Sequence, residues 1–133
     1  MYQIKRNHIV EDLEIEDNGK VLKLSVDINV DSMLRAYNNA QYKIAQASID
    51  AKKATDEKDV TAAQVAMGDA VLSLFEVVFG EAQTKQIVKF YDNKPLEMLG
   101  DIAPFIADVV APKFQDAQKK IEESYRQVSR RGK

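Results

Sequence analysis

His8 is the single histidine in 133 residues, and with Glu11 and Asp12 close behind it is the one place where side-chain types suggest acid–base or metal chemistry. An imidazole beside carboxylates can take a proton or supply a nitrogen ligand. A metal site, however, needs several ligands fixed on rigid elements, and only carboxylates accompany this histidine. The neighbourhood favours a structural or solvent-exposed side chain. The chain has no cysteine and no tryptophan, so thiolate nucleophiles, disulfides and cysteine-bound zinc are excluded together. Gly80 and Gly100 stand alone, outside any phosphate-cradling pattern such as G-x-x-x-x-G-K-S or G-x-G-x-x-G. The sequence thus assigns no catalytic residue, no metal and no cofactor, and it points to a protein that acts by binding rather than to an enzyme.

Charge is distributed unevenly around a net value of only -2. Glu11 to Asp17 holds five carboxylates and no base, whereas Lys113 to Lys133 holds seven Lys or Arg against three acids. The acidic run lacks the Asp-x-Asp-x-Asp-Gly loop and later glutamate of a calcium-binding EF-hand. On a strand it reads as a solvated face that resists unwanted strand pairing. The basic tail reads first as the charged face of a helix, with contact to an acidic partner or to nucleic acid as the alternative. Only Tyr125 interleaves with it, and Glu122 and Glu123 dilute its field, so nucleic-acid binding has little support.

The elements that position these groups follow from periodicity. Leu22, Leu24, Val26, Ile28 and Val30 alternate with polar residues, Leu13 and Ile15 alternate with acids, and Asn18-Gly19 between them suits a tight turn. These features predict a β-hairpin over 11–30. Two strands are marginal alone, so the apolar face must rest on helices or pair with another chain's strand. Asp31-Ser32 offers a helix N-cap, and Met33, Tyr37, Ala40, Ile44, Ala47, Ala51 and Ala54 form a thin seam that another helix could approach closely. A second helix is expected from Asp59 or Thr61 to Phe79, ended by Gly80 in a left-handed conformation, and a third over Glu81 to Tyr91. Pro95 suits a first helical position, Gly100-Asp101 reads as an interruption, Pro104 as a first-turn proline and Pro112 as a bend in a long last helix. That helix keeps Phe114, Ala117, Ile121, Tyr125 and Val128 on one stripe, and 130–133 reads as a frayed tail. The fold class is mostly α with an N-terminal β-hairpin (α+β), in the order ββαααα, as a single domain over 1–133. No apolar run approaches the ~18 residues of a membrane span. The segment MYQIKRNHIVEDL has no secretory apolar region, and an intracellular protein without membrane contact is the expectation.

The densest apolar stretch runs from Phe75 to Phe114. Its aromatics are core residues in the first place, yet so many in a small helical domain leave room for a groove that receives a partner helix. Candidate partner contacts are Phe75, Phe79 and Phe105 in that stretch, with Lys119, Arg126, Arg130 and Arg131 of the basic helix as steering charges.

An acidic hairpin, a first helix rich in Ala and polar residues, and then four segments in order, FEVVFGE (Phe75 to Glu81), IVKFYDN (Ile87 to Asn93), EML (Glu97 to Leu99) and PFIADVVAPKF (Pro104 to Phe114), resemble the small tail assembly chaperones of long-tailed bacteriophages and of prophages of Gram-positive bacteria. The resemblance covers nearly the whole chain and rests on hydrophobic punctuation. It implies a mostly helical protein of the host-cell cytoplasm, encoded between the major tail protein and the tape measure protein and not retained in the mature virion. It also implies binding of the tape measure protein, recruitment of the major tail protein as tube subunits, and a longer frameshifted form in related systems. It carries over no contact residue. Self-association is left open.

Overall fold

The computed structural model describes residues 1–6 and 8–131. Strands β1 (Ile9–Asp17) and β2 (Lys20–Ile28) pair antiparallel through a two-residue turn in which Asn18 and Gly19 both take positive φ, 51° and 84°. The positive-φ tolerance of Asn-Gly gives the hairpin its twist and fixes its register, with Leu13 opposite Leu24 and Ile15 opposite Leu22. Leu24, Val26 and Ile28 are buried and Ile9, Leu13 and Ile15 half-buried, so one face lies on the helices. The hairpin sits two residues earlier than 11–30, because Ile28 is the last strand residue to face the core. Val30 already belongs to helix α1 (Val30–Lys53). Its cap is Asn29 rather than Asp31 or Ser32: the Asn29 Oδ1 accepts the Ser32 backbone N–H at 3.3 Å.

Helix α2 (Glu57–Phe90) begins at the Asp56 cap, whose Oδ1 accepts the Asp59 N–H at 2.7 Å. It starts a few residues before the expected Asp59 or Thr61. Its long run is broken at Gly80, with φ 81° and ψ 164°. The positive φ is the expected one, but the ψ is extended rather than left-handed helical, so the second arm leaves as a sharp corner. This region of backbone space is essentially restricted to glycine. A Cβ built at Gly80 meets nothing within 4 Å, so alanine there would suffer backbone strain alone. Gly80→Ala is expected to cost about 1–3 kcal/mol, read as a lower urea midpoint; an unchanged midpoint would mean that the corner relaxes freely. By length and composition α2 could cross a bilayer, yet its buried residues, Ala63 through Ile87, face the protein's own core.

Pro95 opens α3 (Pro95–Phe105), as expected of a first-turn proline. Two expectations fail here. Gly100-Asp101 does not interrupt α3, and Pro104 sits near its end rather than in a first turn. The chain continues through a π-helical turn, Ile106–Val110, into α4 (Ala111–Arg131). Pro104 and Pro112 both withhold amide donors, and the π turn lies between them, where the Ala111 N–H reaches back to the Ile106 carbonyl. The irregularity expected at Pro112 therefore falls a turn earlier. Helix persists through Arg131, so only 132–133 of the expected frayed tail remain, and these lie outside the described residues.

One cluster of buried side chains joins the sheet to the helices, including Val26, Val71, Phe75, Ile87, Met98, Ile102 and Val110. The thin seam of α1 is used within the chain. Tyr37, Ala40 and Ala47 are buried as α1 packs along α2, which contributes Ala63 and Ala70, so small residues bring two helices close at little hydrophobic gain. At the end of α2, Tyr91 is buried and its Oη donates to the Asp101 Oδ2 at 3.0 Å. Burial first, then the Asp101 carboxylate and more distantly Glu97 and Asp17, push this phenol above the usual tyrosine range. The folded state thus favours the neutral phenol. Its contribution to stability is complete below the ordinary tyrosine pKa of about 10 and is lost as pH rises beyond it. An ultraviolet titration of phenolate should show a late phase that is missing in Tyr91→Phe; identical titrations of the two proteins would refute the assignment.

Candidate partner-binding surface

The expected contact residues divide into three groups. Phe75 and Phe79 are fully inside, 0% and 5% exposed, with ring centroids 5.7 Å apart in an edge-to-face arrangement. They present no surface to a partner, because the core cluster that joins α2 to β2 and α3 encloses them. This corrects their assignment as contacts. Phe105 is half-buried and stacks on Phe79 at 6.3 Å, which makes it an extension of the same core. Phe114, at the other end of the stretch, is buried against Tyr37 at 4.7 Å. Sequence periodicity correctly marked these residues as apolar, but it could not say which side of a helix that is covered on more than one side would remain open.

Lys119, Arg126 and Arg130 are all exposed on α4, and the side chain of Arg131 lies outside the described residues. From Gln118 to Arg130 every residue of α4 is exposed. The helix is anchored on α1 through Phe114, which packs on Tyr37, runs past the end of β2 and the start of α1 at Ala117, Lys120 and Ile121, and then stands free of the body. Along this path the apolar stripe emerges into solvent: Ile121 is 39%, Tyr125 73% and Val128 70% exposed. Together with Lys120 and Ser124 they line a shallow apolar groove. At about 100° per residue, Lys119, Arg126 and Arg130 lie on the opposite side of the helix from Ile121, Tyr125 and Val128. The free helix thus offers two different faces, one apolar and one mainly cationic, with Glu123 set among the cations.

Further exposed apolar side chains, Tyr42, Ile49, Val60 and Val65, lie on the outer faces of α1 and the first arm of α2. Sequence reasoning named the α4 stripe but did not single it out as a surface, and it missed these four. The signal that was present is that the stripe of α4 continues at helical spacing well past the last proline, Pro112.

His8 is exposed at the mouth of a groove shared with Arg6, Asp27, Asp31, Lys120 and Ile121. Glu11 is the one half-buried acid of β1, and its Oε1 lies 3.6 Å from the Lys113 Nζ, which ties the sheet to the start of α4. At this degree of exposure the pair contributes modestly, about 0–1 kcal/mol. Among the described residues no three His, Asp or Glu side chains are grouped as metal ligands would be. Comparisons with protein-family models, curated proteins and solved structures returned no match for the chain.

Proposed function

We propose that this protein is a non-enzymatic tail assembly chaperone of the long-tailed phage type. It would act in the host-cell cytoplasm, bind the tape measure protein, help recruit the major tail protein, and leave before the virion is complete. The reading starts from the resemblance of the segments between Phe75 and Phe114, and the structural observation that supports it is the uncovered line Ile121, Tyr125 and Val128 on the free part of α4. A long helical client has an apolar face that is unsatisfied until the tail assembles around it. An amphipathic helix held away from a folded body can cover that face by helix pairing.

Magnitudes favour a reversible contact. Complete burial of three such side chains gains roughly 1.5–3 kcal/mol each, and association costs an estimated 4–15 kcal/mol. One α4 alone therefore binds weakly. Several copies along one long client, or added contact through Tyr42, Ile49 and Val65, would raise the retention without making any single contact permanent. Weak individual contacts suit a protein that must be displaced by tube subunits.

Co-expression with the product of the neighbouring tape measure reading frame tests the proposal. The client should stay soluble and co-purify with this protein; an unchanged insoluble fraction with no co-purification would overturn it. The alternative, a small regulator or adaptor whose basic helix contacts nucleic acid or an acidic partner, draws on the grouping of Lys119, Arg126 and Arg130. A gel-shift titration separates the two, because nucleic-acid binding through those cations would fall steeply as salt rises.

A further inference from the structure

The two edges of the hairpin are treated differently. A two-residue turn makes Asp17 and Lys20 a hydrogen-bonded pair, so the main-chain groups of every second residue from there point away from the partner strand. On β2 one of those positions is Ser25, and it is closed by a side chain: the Gln83 Oε1 accepts the Ser25 N–H at 2.8 Å, and the Gln83 Nε2 donates to the Ser25 carbonyl at 2.7 Å. The same Nε2 also donates to the Phe79 carbonyl beside the Gly80 corner, at 2.7 Å. On β1 the corresponding residues are Val10, Asp12, Glu14 and Glu16, and among the described residues no group bonds to them from that side. The core-facing residues of β1, Ile9, Leu13 and Ile15, are also only half-buried, where Leu24, Val26 and Ile28 of β2 are closed. An unpaired strand edge beside an incomplete apolar shelf is a template for one more strand.

The chain itself contains a segment with the matching pattern. Tyr2 and Ile4 alternate with Gln3 and Lys5, and both are β-favouring types. They pack on nothing, being 91% and 85% exposed. Residues 1–6 carry Lys5 and Arg6 and no acid, whereas β1 carries five acids and no base. We propose that residues 2–6 of a second copy add antiparallel to the open edge of β1, reciprocally, to form a dimer. Tyr2 and Ile4 then extend the apolar shelf beside Leu13 and Ile15, and Gln3 and Lys5 lie with Asp12, Glu14 and Glu16 on the solvent side.

A second copy is favoured over the chain's own β1 because a return would need a two-residue turn at Asn7-His8. Such a turn would make Arg6 and Ile9 a hydrogen-bonded pair, whereas the main-chain groups of Ile9 already face Ile28 of β2. Pairing of β1 with another β1 is opposed by the carboxylates on both.

In this arrangement the main-chain groups of Gln3 and Lys5 face β1, so a proline at position 3 removes a ladder donor without touching charge. Sedimentation equilibrium of the full chain should show a concentration-dependent dimer. Gln3→Pro removes one donor from each copy and should raise its dissociation constant by roughly tenfold or more, equivalent to about 1.4 kcal/mol for the two lost bonds together, and Gln3→Ala should not. Deletion of residues 2–6 should give a monomer with an unchanged circular dichroism spectrum, since these residues support nothing in the isolated fold. Because the chain lacks cysteine, a mixture of Gln3→Cys and Glu14→Cys proteins should oxidise to the mixed disulfide. A monomer at every concentration, a dimer indifferent to Gln3→Pro and to the deletion, or an intrachain disulfide in the dilute doubly substituted chain would each overturn the proposal.

Discussion

Alanine at Phe75 is expected to lower the stability of the protein by about 3–5 kcal/mol, a large part of the roughly 5–15 kcal/mol that holds a domain of this kind together. Phe75 is completely enclosed, meets Phe79 edge to face at 5.7 Å, and through Phe79 supports the stacked ring of Phe105 on α3. Its removal leaves a cavity at the place where the two helices meet, and the corner at Gly80 limits how far α2 can shift to fill it. With a urea dependence of about 1–3 kcal/mol per molar, the midpoint should fall by about one molar or more. Client binding should fall only in proportion to the unfolded fraction. If Phe75→Ala kept its urea midpoint and lost client binding instead, Phe75 would be a contact residue and the placement of the core would be wrong.

The opposite pattern is expected of the α4 stripe. Tyr125→Glu combined with Val128→Glu should change stability by no more than about 0.5 kcal/mol per site, because neither side chain is covered. Retention of the client should fall at least about tenfold, since a charge buried without a partner in a small helix-pairing interface costs more than the contact it replaces. The readout is the soluble fraction of co-expressed tape measure protein, the client proposed above, and its recovery with this protein. Neutralising the opposite face with Lys119→Gln, Arg126→Gln and Arg130→Gln should instead slow association and flatten its salt dependence, with a smaller loss of retention. Full retention by the doubly substituted stripe would exclude α4 as the client surface, and the exposed residues of α1 and α2 would then be the next to test.

Much of the backbone plan was legible because it depends on local chemistry. Asn18-Gly19 turns the hairpin, Gly80 breaks α2, and Pro95 opens α3, each through a conformational preference that the residue carries wherever it stands. The misplaced features share one cause. Asn29 displaced Asp31 as a cap because the strand ended at its last core-facing residue, and α3 ran through Gly100 and Pro104 because burial of Met98, Ile102 and Ile106 outweighed weak local helix signals.

The sequence by itself determined the order ββαααα, the alternation that gives the sheet one buried face, and the lack of cysteine. These follow from residue type and spacing. Only the tertiary structure decided which apolar residues are covered. Phe75, Phe79 and Phe114 disappear into the core, whereas Ile121, Tyr125 and Val128, on the same continuous helical path as Phe114, emerge into solvent. Periodicity identifies an apolar face, but burial depends on whether another element is there to meet it. For the stripe of α4 and the outer edge of β1 no described element of the chain does so.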